Sequence, residues 1–168
     1  MPDSLQIENL TLHAENVALP MGLTVARIEL KGQSAVIGFK PPALTGGQIT
    51  LEAIVDEPGL QAFVQAKVPS QVRDVQVFLG DGLIKISAKA VVILPISFTA
   101  YCALEIVDGR ELHLRLHDVQ PGGPVRSMLE GQIEEMNPVL TTDDLPVPVR
   151  LTAVRVDEGQ IVLSGESS

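Results

Sequence analysis

Tryptophan is absent from the sequence and aromatic residues make up only 3% of it, although 45% is hydrophobic. The apolar content is therefore aliphatic, which suits stacked strands and suits contact with acyl chains. Basic residues are also few: 12 Lys and Arg stand against 21 Asp and Glu, for a formal net charge of -9. Scattered singly, they do not make the phosphate-contacting surface that nucleic acid requires, so no nucleic-acid partner is expected. The same charge works against simple electrostatic docking on anionic membranes. The single cysteine, Cys102, cannot form an internal disulfide and leaves the redox compartment open. It reads as a buried, inert small hydrophobe. No apolar run approaches the ~18 residues that span a bilayer. The opening Met1-Pro2-Asp3-Ser4 has neither a basic nor an apolar segment. The sequence as it stands is thus expected to be soluble and cytoplasmic, or to belong to the cell envelope if an export signal has been removed.

Catalytic chemistry is equally scarce. The three histidines are His13, His113 and His117, and only the last two could share a face. Four strand residues at ~3.4 Å each separate their Cα atoms by ~13 Å, too far for bonds of ~2 Å to one metal ion unless the strand bends. The acidic pairs Glu134-Glu135, Asp143-Asp144 and Asp157-Glu158 are adjacent in sequence. Neighbours diverge on either a strand or a helix, so these pairs suit capping and turn roles rather than a carboxylate dyad. Gly46-Gly47 and Gly122-Gly123 lack the spacing and βαβ setting of a phosphate loop. No serine has nucleophile-elbow spacing. No catalytic residue, metal or cofactor is expected, and the chain is not read as an enzyme.

Alternating strands are present in abundance. From Val72 to Val119 the chain reads as a meander, with Asp81-Gly82 and Asp108-Gly109 between alternating apolar runs. Asp-Gly in that position favours a tight turn with positive φ at both central residues. One face of the meander carries Ile84, Ile86, Ala88, Ala90, then Phe98, Ala100, Cys102, Leu104, Ile106, then Leu112, Leu114, Leu116. The other carries lysines, serines, Glu105, His113 and Arg115. A sheet apolar on one side needs a cover.

At 168 residues the chain is read as one domain, residues 1–168, long enough to bury a core. Leu5 to Leu12 and Gly22 to Lys31 read as a long hairpin joined through Ala14 to Met21. Its apolar phase breaks between Ile7 and Leu10 and between Val25 and Ile28, which predicts paired bulges or a sharp twist. Phe39 to Gln48, with Pro41, Pro42, Gly46 and Gly47, reads as a loop before a short strand, Ile49 to Val55. Asp56 offers an N-cap, and Leu60, Phe63, Val64 and Val68 mark one face of a short helix ended by Pro69. After the break at Gln120 to Pro124, Val125, Met128, Leu129, Ile133 and Met136 mark a second helix, ended by Asn137-Pro138. A last hairpin runs from Pro146 to Val156 and from Gln160 to Ser164.

The ordered motifs resemble a known family. Ile49-Thr50-x-Glu52-Ala53-Ile54 leads into Leu60-x-Ala62-Phe63-Val64, then Val72-x-Asp74-Val75-x-Val77 and Gly82-x-Ile84. Downstream come Asp108-Gly109, a Pro-Gly break, Glu135-Met136-Asn137-Pro138, Leu145-Pro146 to Leu151, and Val154-x-Val156-x-x-Gly159-x-Ile161-x-Leu163-x-Gly165. Over about Leu5 to Gly165 this pattern is similar to the LmeA-like family of bacterial phospholipid-binding proteins. The resemblance implies an α+β fold: a long curved antiparallel sheet wrapped around one long and one short amphipathic helix, like half of a tubular lipid-binding (TULIP-like) barrel. It also implies a lipid or other apolar partner at the bacterial envelope, with peripheral membrane contact, and it carries no catalytic residues.

Two readings follow. In the first, the helices leave a groove for an acyl chain, lined by Leu60, Phe63, Ile84, Ile86, Phe98, Ala100, Leu104, Leu112, Leu114, Met128, Leu129, Ile133 and Met136. Lys67, Arg73 and Arg126, near helix ends, are its headgroup candidates. In the second, those residues fill the core completely and the chain is a structural or protein-interaction module. Ligand identity and oligomeric state stay open at this level.

Overall fold

In a computed structural model, residues 3–40, 42–91, 93–145 and 147–167 are described. Met1 and Pro2 of the opening segment, Pro41 of the expected loop and Pro146 of the expected last strand lie outside them. Among the described residues ten strands form two antiparallel sheets of five. The first sheet has β1 (Ser4–Ala18), β2 (Thr24–Phe39), β3 (Pro42–Asp56), β10 (Gln160–Ser167) and β9 (Val149–Asp157), in that order. The second has β4 (Val72–Gly80), β5 (Leu83–Val91), β6 (Pro95–Val107), β7 (Glu111–Gln120) and the two-residue β8 (Leu140–Thr141). It curls into a half-barrel. Helix α1 (Glu57–Lys67) follows β3, and α2 (Pro124–Met136) follows β7. This is the antiparallel α+β architecture expected from the sequence, with its strands shared between two sheets. Among the described residues no helix is long and apolar enough to cross a membrane.

The meander forms as expected, because its turns are encoded locally. Asp81 and Gly82 have φ of 54° and 78°, and Asp108 and Gly109 have 54° and 67°. In the first sheet one expectation fails, and of a second one alternative, the bulges, is excluded. The stretch from Phe39 to Gln48 is not a loop: β3 begins at Pro42 and pairs with β2 without interruption of register, from Phe39–Pro42 to Arg27–Ile54. Proline is tolerated as the first residue of a strand. The glycines are tolerated because β10 joins β3 only from Thr50 onward, leaving the earlier half at the sheet edge. The phase breaks in β1 and β2 are also not bulges, for the two strands keep one register throughout. They coincide instead with left-handed residues. Asn16 (φ 53°) lies between the pairs Glu15–Arg27 and Val17–Val25, and Ser34 (φ 57°) between Ile7–Ala35 and Asn9–Gln33. Each reverses the alternation locally, as the short polar side chains of such residues permit.

One apolar cluster joins both sheets and both helices. Backbone bonds stitch the sheets at two turns: Gly159 N donates to Leu79 O (3.0 Å) and Leu151 N to Gly109 O (2.7 Å). Cys102 is fully buried in this cluster, and burial pushes its thiol up to about 12. The thiolate is the reactive form. Cys102 is therefore expected to resist a thiol-specific reagent at pH 8 in the native protein and to react within minutes in denaturant, as absorbance of the released chromophore would record.

Helix α1 begins as the sequence implies, with the Asp56 carboxylate accepting from Gly59 N at 2.9 Å. Its apolar face buries Leu60, Phe63 and Val64. A second face does something that periodicity did not reveal. Glu57 Oε2 accepts from Leu79 N (2.8 Å), Gln61 Oε1 accepts from Val77 N (3.1 Å), and Gln65 Nε2 donates to Val75 O (3.3 Å). Four helical residues rise ~6.0 Å, and two strand residues rise ~6.8 Å. Side chains at 57, 61 and 65 therefore meet every second residue of β4 and take the place of a neighbouring strand. An edge that would otherwise offer free N–H and C=O groups is sealed.

Candidate functional site

The apolar inner face of the half-barrel is covered by α2. This helix buries Val125, Leu129, Ile133 and Met136 against the sheet and turns Glu130, Glu134 and Glu135 to solvent. Its far end is fixed by one side chain. Asn137 Oδ1 accepts from Leu114 N (2.7 Å), and Asn137 Nδ2 donates to Leu114 O (2.9 Å). The residue thus acts as a strand partner for β7, and Val139 N to Leu112 O (2.9 Å) continues the pairing into β8. Sequence reading assigned Asn137 only to helix termination. An asparagine just beyond a helix, facing an alternating strand, is the signal it left.

Where α2, the end of α1 and the half-barrel meet, the packing leaves a void of about 30 Å³. Ile86, Phe98, Ala100 and Leu114 line it from the sheet, and Leu129, Ile133 and Met136 from α2. These seven were expected at a groove. Val64 from α1, Val68 just past its end, Val72 and Val75 from β4, Ala88 and Gln132 complete it. Periodicity places Val64, Val68 and Ala88 on apolar faces but not at the groove, whereas Val72 and Val75 reach it because the segment after α1 returns beside the meander, a long-range placement with no local pattern. Among the described residues Gln132 is the only polar one of the lining, and none of them is charged. The volume is that of about one water molecule, and a water there needs polar partners that this lining does not provide.

The other expected lining residues lie elsewhere in the same core. Leu60, Phe63, Ile84 and Leu112 are buried away from the void, and Leu104 and Met128 are partly buried against the cluster. Of the headgroup candidates, Lys67 is exposed in the last turn of α1, with Nζ 5.6 Å from the centre of the Phe63 ring. Arg73 is exposed at the start of β4. Arg126, in the first turn of α2, donates to Glu130 Oε1 at 3.0 Å.

The polar face offers local pairs rather than a site. His113 Nε2 lies 3.3 Å from Glu111 Oε1, Arg115 Nε donates to Glu105 Oε2 at 2.7 Å, and Arg155 Nε to Asp157 Oδ1 at 2.8 Å. Asp143 Oδ2 stands 3.5 Å from Arg110 Nη2. No group of three His, Cys, Asp or Glu residues that could hold a metal ion occurs among the described residues.

Neither a curated protein nor a solved structure matches the chain. A family does: the one described as LmeA-like phospholipid-binding matches residues 1–166, nearly the whole length. With the half-barrel, its two helices and the apolar space between them, this places the chain in the LmeA-like phospholipid-binding family.

Proposed function

We propose that the chain binds an acyl-chain ligand, a phospholipid in the first instance, between α2 and the inner face of the half-barrel, without chemical turnover. The observation that carries this reading is the void bounded by a curled sheet and two helices, lined by no charged residue among those described, in a chain of a phospholipid-binding family. Each CH₂ removed from water contributes ~0.8 kcal/mol, so such a lining binds a tail with no polar chemistry. A space of about 30 Å³ holds no acyl chain as it stands. Binding therefore requires α2 to move outward, with its apolar face exchanging sheet contacts for ligand contacts. Lys67, Arg73 and Arg126 are the groups assigned to a headgroup phosphate, in each case through a charge-assisted contact.

The small volume also favours the second reading, a packed interaction module with no ligand. Extraction of the purified protein with organic solvent, followed by mass spectrometry, separates the two. Stoichiometric lipid is expected, together with uptake of a fluorescent fatty acid by delipidated protein. Ala100→Val, which takes up the void from β6 with the smallest added volume, is expected to reduce that uptake. Protein that carries no lipid and takes up no probe would leave the interaction module.

A further inference from the structure

The turn between β5 and β6 exposes large apolar side chains to water. Ile93 is 91% exposed, Leu94 72% and Ile96 39%, and the pair Val91–Pro95 closes the turn. Isolated surface hydrophobes need no explanation, but a contiguous apolar tip marks an interaction site.

The apolar inner ladder of the half-barrel leads from the void to this tip. Ile86 pairs with Ala100, Ala88 with Phe98, and Ala90 with Ile96, on one face and in unbroken register. The first two pairs line the void, and the third reaches the exposed end. The segment joining α1 to β4 lies beside the tip, because Val91 N donates to Gln71 O at 2.8 Å. Basic residues gather at this end of an otherwise acidic chain. Residues 66–76 and 86–100 hold Lys67, Arg73 and Lys89 against one acid, Asp74. Arg73 and Lys89 are direct neighbours across the β4–β5 ladder, and Lys89 Nζ is 3.7 Å from Asp74 Oδ2.

On these grounds, and resting on the acyl-chain reading above, we infer that the β5–β6 tip is a bilayer anchor: Ile93 and Leu94 enter the acyl region, and Arg73 and Lys89 meet lipid phosphates. Apolar tip, flanking cations and the ladder to the void then follow the order of a lipid leaflet, acyl region first and headgroups beside it. A protein partner is the weaker match, since one turn presents far less than the area of a stable interface. A ligand leaving the bilayer would follow the ladder without crossing polar surface.

The test uses the full chain with vesicles of mixed phosphatidylethanolamine and phosphatidylglycerol, and with vesicles of phosphatidylcholine alone. The wild type is expected to cosediment with the first more than with the second. The double variant Ile93→Asp, Leu94→Asp should weaken that binding by roughly tenfold or more. Its melting temperature should not change, because both side chains are solvent-facing. Lys89→Glu should reduce binding to the anionic vesicles alone. The double variant should still take up a fatty-acid probe from solution, yet accept far less from labelled vesicles. Loss of soluble uptake by the wild type would defeat the acyl-chain reading and leave vesicle binding to decide the anchor. Cosedimentation equal to wild type in the double variant, or none in the wild type, overturns the anchor. So does a change in the lipid-free protein's sedimentation coefficient, which would make the tip a contact with a second copy.

Discussion

Phe98→Ala is expected to lower the melting temperature by roughly 6–20 °C and, at the same time, to improve uptake of a fatty-acid probe. The ring is buried on β6 at the void, opposite Ala88. Removing it costs about 3–5 kcal/mol through lost burial and a residual cavity. For a chain of this size each kcal/mol moves the midpoint by about 2–4 °C. The enlarged space keeps its apolar walls, so it stays dry and accepts apolar groups. A ligand that fills it stabilises the folded state, by about 2.7 kcal/mol at a hundred times its dissociation constant. The diagnostic is the pair of measurements in one calorimetric experiment. The variant melts early alone, and a saturating probe restores more of its midpoint than it adds to the wild type. An equal increment for both proteins would place the probe away from this void.

The second large effect concerns Asn137. Replacing it with leucine preserves approximate size but strands the N–H and C=O of Leu114, a residue only 1% exposed. Each buried group left without a partner costs about 1–3 kcal/mol. A loss of about 2–6 kcal/mol is expected in urea denaturation, with the damage centred on the junction of α2, β7 and β8. Asn137→Asp sharpens the test. Its carboxylate still accepts from Leu114 N, but the ionised group faces Leu114 O instead of donating to it. Protonation restores a donor, so the fold holds this carboxyl protonated to higher pH than the unfolded chain does. With a raised pKa in the folded state, the variant's stability falls as pH rises through the carboxylate range, while the wild type is unaffected by this group. A parallel pH dependence in both proteins would show that Asn137 contributes no paired bonds.

What the sequence made legible was what neighbours in the chain determine. Asp81-Gly82 fixes its turn through two backbone conformations, and Asp56 announces α1 by capping Gly59. The inner face from Ile84 to Leu114 followed from alternation. Illegibility began where distant segments overrule local preference. Pro42 and Gly46 signal a break, yet pairing with β2 holds them in a strand. The division into two sheets depends on β10 choosing β3 as its partner, which no local pattern records. The same limit applies at the void. Phe98, Ala100, Leu129 and Met136 could be named from periodicity, whereas Val72 and Val75 reach it because β4 folds back beside β5, with Val91 N donating to Gln71 O. The exposed tip at Ile93 was hidden for a different reason: an apolar run inside a meander looks alike whether it is covered or bare.

Both helices are tied to the half-barrel by polar side chains that grip backbone, at Glu57, Gln61 and Gln65 on one and just beyond the end of the other at Asn137. Backbone is the same at every residue, so these attachments are blind to the identity of what they hold. Solvent-facing positions of β4 such as Gln76 and Phe78 are free to drift over evolutionary time without loosening the seam. The burden of constancy falls on four helix-side positions, where only a carboxylate or amide of the right length will reach.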